Sequence, residues 1–246
     1  MRPTSAGGRP SASGSFASGG PVGPVGHALV LADGSLGPLA DLDTAWPGWS
    51  SGIDWVIAAD GGARHAQALG RTIDRWVGDG DSLGDAGLAE LAAAGVSIER
   101  SPTDKDESDT ELAVLAAVGT GARRITILGA LGGARVDHGL ANIWLLSDAR
   151  LGGHEVVLVD AVARIRLATA GWTDLGGRSG DLITLLAFGG EAIGVTTTGL
   201  RYPLVAEDLP SGPARGLSNV RVAEEASLTV GAGRVLVIET PARLHR

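Results

Sequence analysis

Cysteine is absent from the 246 residues, which removes disulfides and thiolate metal sites together. No apolar run approaches the roughly 18 residues that a membrane-spanning helix needs. Residues 1–26 are mostly Gly, Ser, Pro and Ala; they hold Arg2 and Arg9 but no apolar stretch of the kind a secretory signal carries. A cytoplasmic protein with no membrane partner is therefore expected. Basic charge is also short: the net charge is −8, which excludes a general binder of nucleic acid, since phosphate backbones need a basic surface. Of the 20 basic residues only Lys105 is a lysine. The usual phosphate-binding motifs are missing too. No G-x-x-x-x-G-K-[ST] occurs, and the run from Gly78 does not fit G-x-G-x-x-G.

What the chain has instead is carboxylate in short loops. Gly78-Asp79-Gly80-Asp81-Ser82 and Asp104-Lys105-Asp106-Glu107-Ser108-Asp109 hold six acidic side chains around the only lysine. Such crowding is costly unless a positive charge, commonly a metal ion, sits among the carboxylates. Asp79 and Asp81 can reach one Mg²⁺ while Gly80 lets the backbone turn sharply. A plain acidic turn with a serine cap is the alternative for that stretch alone.

The surrounding pattern places these loops. Residues 1–26 lack apolar periodicity and read as a disordered tail. Apolar runs at 27–33, 54–60, 75–78, 96–100, 124–129 and 155–160 read as strands, and most are apolar throughout. Helical patterns lie between them, at about 62–69, 83–94, 109–118 and 136–149, with Gly95 as a C-terminal cap and Ser108/Glu111 as a capping box. That alternation predicts a three-layer α/β domain over 27–162 with a mostly parallel sheet covered on both faces. After about residue 162 come short β segments (164–168, 182–187, 192–197, 227–230, 234–239), Gly-rich turns and no convincing helix. Residues 163–246 are therefore expected to form a small β-sandwich or barrel-like domain. The fold class is α/β plus all-β, with no internal repeat.

In an open parallel sheet, ligands bind beyond the carboxyl ends of the strands. Asp33, Asp60, Asp79, Asp81, Asp104 and Asp137 each follow the end of a predicted strand, so the acidic residues should converge on one edge. Asp109, at a helix start, could simply complement the helix dipole. Lys105 can meet a phosphate as a point charge. Gly129-Ala-Leu-Gly-Gly-Ala-Arg135-Val-Asp137-His138 is a Gly-rich strand-to-helix turn suited to an anion, with Arg135 as a fork for phosphate oxygens. His138 reads as structural rather than catalytic. The residues themselves point to Mg²⁺ and nucleotide phosphate, and leave the acceptor open. A Mg²⁺-dependent transferase with another acceptor, such as a pterin diphosphokinase or a D-x-D glycosyltransferase, fits the same pattern. So does a nucleotide-binding protein without catalysis.

At this point the motifs resemble a known family. Ala59-Asp60-Gly61-Gly62-Ala63, Gly78-Asp-Gly-Asp-Ser82, Asp104-Lys-Asp-Glu-Ser-Asp109 and Gly132-Gly-Ala-Arg135-Val-Asp137-His138 follow the order seen in the thiamine pyrophosphokinase family. Gly199-Leu-Arg-Tyr202-Pro-Leu204 and Leu217-Ser218-Asn219 resemble its C-terminal motifs, so the likeness spans about 27–240. It implies transfer of the diphosphoryl group of ATP to the hydroxyl of thiamine, giving thiamine diphosphate and AMP with Mg²⁺. By motif, Asp60, Asp79, Asp81 and Asp109 would hold the metal. Asp33, Asp60, Gly61, Gly62, Lys105 and Arg135 would hold the nucleotide, and Asp104 or Asp137 would position the thiamine hydroxyl. The resemblance also implies a homodimer with thiamine at the subunit interface, Tyr202 stacking on thiamine from the partner, and Ser218 and Asn219 bonding its aminopyrimidine. Two departures stand out: Ser108 replaces the usual threonine, and Val220 follows Ser-Asn where many bacterial members have glutamate.

Overall fold

A computed structural model describes residues 26–242; the tail expected at 1–26 lies, except for Gly26, outside them. Six parallel strands are formed by the expected apolar runs: β1 His27–Leu31, β2 Trp55–Ala59, β3 Arg75–Gly78, β4 Ser97–Arg100, β5 Arg124–Leu128 and β6 Glu155–Val159. They lie side by side in the order β4-β3-β2-β1-β5-β6. β1 is buried at every position, as a central strand covered on both faces must be. From β1 the chain builds outward to β4 on one side and then returns to add β5 on the other. The crevice between the carboxyl ends of β1 and β5 is therefore the switch point at which such sheets bind ligands.

The helices are α1 Leu39–Ala45, α2 His65–Ala68, α3 Gly84–Ala93, α4 Asp109–Gly119 and α5 Val136–Leu145. α4 begins where the capping box placed it: the Ser108 hydroxyl accepts from the Glu111 N–H at 3.1 Å. α5 stops earlier than expected, because Asp148 caps a separate short turn by accepting from the Arg150 N–H at 2.8 Å. α1 was not expected at all. It buries only Leu42 and Ala45, too few positions to set up a readable period.

Beyond residue 162 the chain is all β: β7 Arg164–Asp174, β8 Leu182–Ala187, β9 Ala192–Thr198, β10 Glu207–Leu209, β11 Gly216–Val220 and β12 Ser227–Thr240. The two segments expected at 227–230 and 234–239 are one strand, bulged between Val230 and Arg234. β12 pairs with β7 along one side, and with β9 and then β8 along the other. It thereby serves both halves of the β layer. The expected boundary falls in the turn before β7, yet the ladder crosses it, since β6 and β7 pair antiparallel from Val157↔Arg166 to Val159↔Arg164. Ile165, Phe188 and Leu236 join the core beneath α4 and α5. Arg178 of the β7–β8 turn donates to the carbonyls of Thr44 and Ala45 at 3.2 and 3.0 Å, and Arg164 lies 4.9 Å over the Trp46 ring while pairing with buried Glu239. These arginines line a cavity of about 440 Å³ below α1, but their charges already serve to clamp the two layers together.

One buried histidine gives the fold a pH dependence. His27 is buried at the start of β1, with Nδ1 3.1 Å from the Ser51 carbonyl and Nε2 2.9 Å from Thr126 Oγ1. Burial holds its pKa below the ordinary 6.5, and His65 is held low for the same first reason. The unfolded chain then binds the proton more tightly than the folded chain. Stability is complete above about pH 6.5 and is lost as pH falls from there through the lower folded value. Urea unfolding at stepped pH should show this acid-side decline, and His27→Gln should make it shallower. An unchanged slope in the variant would remove His27 as its source.

Candidate active site

β2 delivers Asp60, β3 delivers Asp79, and α4 opens on Asp109. One carboxylate oxygen from each lies within 4.8 Å of the other two. Asp60 is 6% exposed and its φ is +42°, in the left-handed region that a non-glycine residue rarely adopts. The strained backbone is held by Trp76, fully buried in β3, whose indole Nε1 donates to the Asp60 carbonyl at 3.0 Å. In the sequence Trp76 is simply part of the apolar run at 75–78, and nothing in its context marks the contact.

The site has too many acceptors and too few donors. Oδ1 of Asp60 and Oδ1 of Asp109 are both buried without a hydrogen bond among the described residues. The Lys105 ammonium lies 2.9 Å from Asp109 Oδ1, in ion-pair contact but outside hydrogen-bond geometry, and its side chain is only 12% exposed. Burial pushes the Asp60 carboxyl up from its ordinary pKa; the Ser82 hydroxyl partly offsets this, and the Asp81 and Asp109 carboxylates add to it. Three converging carboxylates, two of them with a buried oxygen that lacks a hydrogen bond, suit a hard divalent cation bound through oxygen. The residues present fit Mg²⁺.

Asp81, expected among the ligands, stands outside this group of three. It is exposed; its N–H donates to Asp79 Oδ1 at 3.0 Å and its own Oδ1 accepts from the Ser82 hydroxyl at 3.2 Å. It stays close enough to Asp60 to raise that group's pKa. Asp104 is exposed in the loop before α4.

At the switch point, the β1 and β5 loops and α5 enclose a cavity of about 320 Å³. Asp33, Thr110, Arg135, His138 and Asn142 line it, and Thr110 adjoins Asp109, so the cavity and the acidic group are neighbours. Asp33 pairs with Arg64, whose Nη2 also donates to the Asp33 carbonyl at 3.2 Å. Arg64 was not singled out in the sequence, where it is one arginine among many. Gly61 and Gly62, expected to admit a nucleotide, have a nearer reason to lack side chains. A Cβ on Gly62 would come within 2.0 Å of the Leu31 carbonyl oxygen, and one on Gly61 within 2.4 Å of Asp33 Oδ1.

Arg135 and Asp137, assigned separate roles by motif, are bound to each other: Arg135 Nε donates to Asp137 Oδ1 at 2.9 Å and Nη2 to Oδ2 at 2.6 Å. The arginine holds the Asp137 carboxyl well below the usual carboxylate range. His138, expected to be structural rather than catalytic, is exposed and lines the cavity.

None of Tyr202, Ser218 and Asn219 lines this cavity; all three belong to the β layer. The Tyr202 side chain is exposed (59%), whereas Asn219 is buried (6%). Ser218 is exposed with φ +56°. Asn219 turns its amide to the Tyr202 backbone.

Comparison with known proteins accounts for this arrangement. Residues 49–158 match the family model for the thiamin pyrophosphokinase catalytic domain, and residues 173–235 match that for the thiamin pyrophosphokinase vitamin B1 binding domain. The thiamine pyrophosphokinase of Bacillus subtilis (strain 168) is 25% identical over 201 residues, which is 81% of this chain and 89% of that protein. The crystal structure of a thiamin pyrophosphokinase family protein from Enterococcus faecalis superposes with a TM-score of 0.74 at 27% identity, covering 87% of this chain and 98% of that one. Yeast thiamin pyrophosphokinase, at 16% identity, shares the fold with a TM-score of 0.65 over 91% of this chain and 89% of its own. The two models together span well over half of the sequence, in the order and at the places where the α/β and β layers lie. The chain belongs to the thiamin pyrophosphokinase family.

Proposed function

We propose that this family member is an ATP- and Mg²⁺-dependent thiamine diphosphokinase, with the acidic group at the strand ends as its phosphate-handling centre. The observation that carries the reading is the convergence of Asp60, Asp79 and Asp109 within 4.8 Å, with two buried oxygens lacking donors and Lys105 alongside. Asp60, Asp79 and Asp109 would hold Mg²⁺, which when bound neutralises charge on the phosphate oxygens. Lys105 neutralises further phosphate charge, and the switch-point cavity receives the nucleotide. Arg135 adds its fork when phosphate displaces Asp137, a carboxylate being the weaker competitor for two parallel N–H donors at an exposed site. Asp104, exposed in the loop before α4, or Asp137, released once phosphate takes its place on Arg135, would orient the thiamine hydroxyl. That oxygen attacks the β-phosphorus, the bond from β-phosphorus to the α,β-bridging oxygen breaks, and AMP leaves. The hydroxyl proton goes to solvent. Positioning and charge neutralisation carry such a transfer, so no dedicated general base is assigned.

Tyr202 and Ser218 lie on a different layer from the cavity, which supports a site completed by a second copy of the chain. The exposed face of α5, with Val136, Leu140 and Trp144 each four residues apart, offers an apolar surface for that pairing. Sedimentation of the purified protein as a monomer at assay concentration would overturn the homodimer. A cytoplasmic location, where ATP and Mg²⁺ are at hand, is part of the same proposal and is tested by cell fractionation. The function itself is tested with purified protein, ATP, Mg²⁺ and thiamine, resolving all products. AMP and thiamine diphosphate in equal amounts are expected. ADP as the nucleotide product, or no thiamine ester, would sink the reading.

A further inference from the structure

The Asn219 side chain spends nearly all its hydrogen-bonding capacity on the protein. Oδ1 accepts from the Tyr202 N–H at 3.0 Å and the Val220 N–H at 2.9 Å, and Nδ2 donates to the Tyr202 carbonyl at 2.6 Å. Both acceptor sites of the amide oxygen are filled and one of its two N–H donors is used. Both backbone polar groups of Tyr202 are thus held by one buried amide.

The local backbone is shaped to deliver that amide. β11 pairs with β8 in a register that shifts between Gly216 and Asn219. In the shifted stretch Leu217 and Ser218 face solvent while Asn219 turns inward, the re-aiming that a bulge produces. Ser218 takes its positive φ there, and its N–H is fixed by Thr184 Oγ1 at 3.0 Å. The loop carrying Tyr202, between β9 and β10, is tied on both sides: Arg201 N–H donates to the Val220 carbonyl at 2.8 Å, and Leu204 N–H to Thr197 Oγ1 at 2.9 Å. Tyr202 itself is free only beyond its backbone, with its ring exposed.

From this geometry we infer that Asn219 is a positioning residue for thiamine: it sets the stance of the Tyr202 ring through the tyrosine backbone and does not itself contact thiamine. The inference rests on the function proposed above, and it reassigns a role that the motif gave to direct contact with the aminopyrimidine. In Asn219→Asp, size and acceptors are kept, but a carboxylate oxygen replaces the donor facing the Tyr202 carbonyl, so the tie becomes a repulsion.

The chain has one tyrosine, so fluorotyrosine labelling gives one NMR resonance that reports on Tyr202 alone. Asn219→Asp should shift or split that resonance in the ligand-free protein and raise the thiamine KM about tenfold, with the ATP KM unchanged. Combined with Tyr202→Ala, it should add nothing further to the thiamine KM, because its route to the ligand is gone. Full additivity in the double variant would identify Asn219 as a direct ligand and overturn the inference, as would an unmoved tyrosine resonance. If Asn219→Asp fails to fold, Asn219→Ser carries the same double-variant test. The wild-type Asn219 side-chain amide signal decides independently: it should stay in place on thiamine binding, and a direct ligand would move. The tyrosine resonance is read without turnover, so it tests the Asn219–Tyr202 tie even if the protein proves to act on another acceptor.

Discussion

Asp109→Asn is expected to lower kcat by about 10²–10³-fold or more, the scale of losing one element of preorganised charge stabilisation, while leaving the metal-free fold close to its original stability. The two halves of that expectation come from different terms. In the wild type, each carboxylate neighbour within 4.8 Å opposes Asp109 by at least about 3 kcal/mol at an effective dielectric near 20. The Lys105 ammonium at 2.9 Å returns about 6 kcal/mol on the same footing. Burial first, and then the Asp81 and Asp109 carboxylates, push the Asp60 pKa up, the mark of the same crowding. Removing the Asp109 charge therefore deletes attraction and repulsion of similar size, and asparagine keeps the shape. Metal response is where the loss should appear. Millimolar Mg²⁺ should raise the melting temperature of the wild type, because it binds only the folded arrangement of three carboxylates. Asp109→Asn should lose most of that rise. A variant that is inactive yet keeps the full Mg²⁺-dependent rise would remove Asp109 from the metal site.

That expectation also shows how much of the site could be read before the fold was known. The strand-end aspartates were legible because a fully apolar run that stops at a carboxylate has one sensible place in a parallel sheet. The α4 start was legible because Ser108 and Glu111 stand at capping-box spacing, and both features are local. Which carboxylates meet is not local. Asp60 reaches Asp79 and Asp109 through a backbone angle of +42° held by Trp76, and neither the strain nor the indole contact leaves a mark in sequence. Asp81 fell outside the group for a similar reason: its N–H is drawn to Asp79 Oδ1, two residues back. The Arg64–Asp33 and Arg135–Asp137 pairs were hidden among many arginines.

The β layer was less legible than the α/β layer. β10 has three residues, and β11 carries a register shift that breaks its period-2 alternation. The Gly231-Ala232-Gly233 stretch looks like a turn between two strands, yet it is a bulge within one long strand. The same irregularity that obscured β11 turns Asn219 inward, so the feature hardest to read is the one closest to the proposed thiamine contact.

Tyr202→Ala should separate the two substrates. The Tyr202 ring is 59% exposed and packs into none of the apolar cores, so its removal should change stability by no more than about 0.5 kcal/mol. Its backbone ties to Asn219 do not depend on the side chain. An exposed ring face attracts an organic cation by about 0.5–1 kcal/mol, rising to about 2 when the pair is shielded from water, and stacking on a flat ring adds to that. Together these predict a rise in the thiamine KM of about tenfold or more in Tyr202→Ala, with the ATP KM within about twofold of wild type. The acidic group and the switch-point cavity do not include Tyr202, so nothing in the nucleotide site should respond. Tyr202→Phe keeps the ring face and should recover most of the affinity. That recovery distinguishes an aromatic face from a hydroxyl hydrogen bond: if phenylalanine were as poor as alanine, the contact would be through the phenol oxygen. Equal increases in both KM values would count against any stacking role, since they would mean that the substitution acts through the fold as a whole.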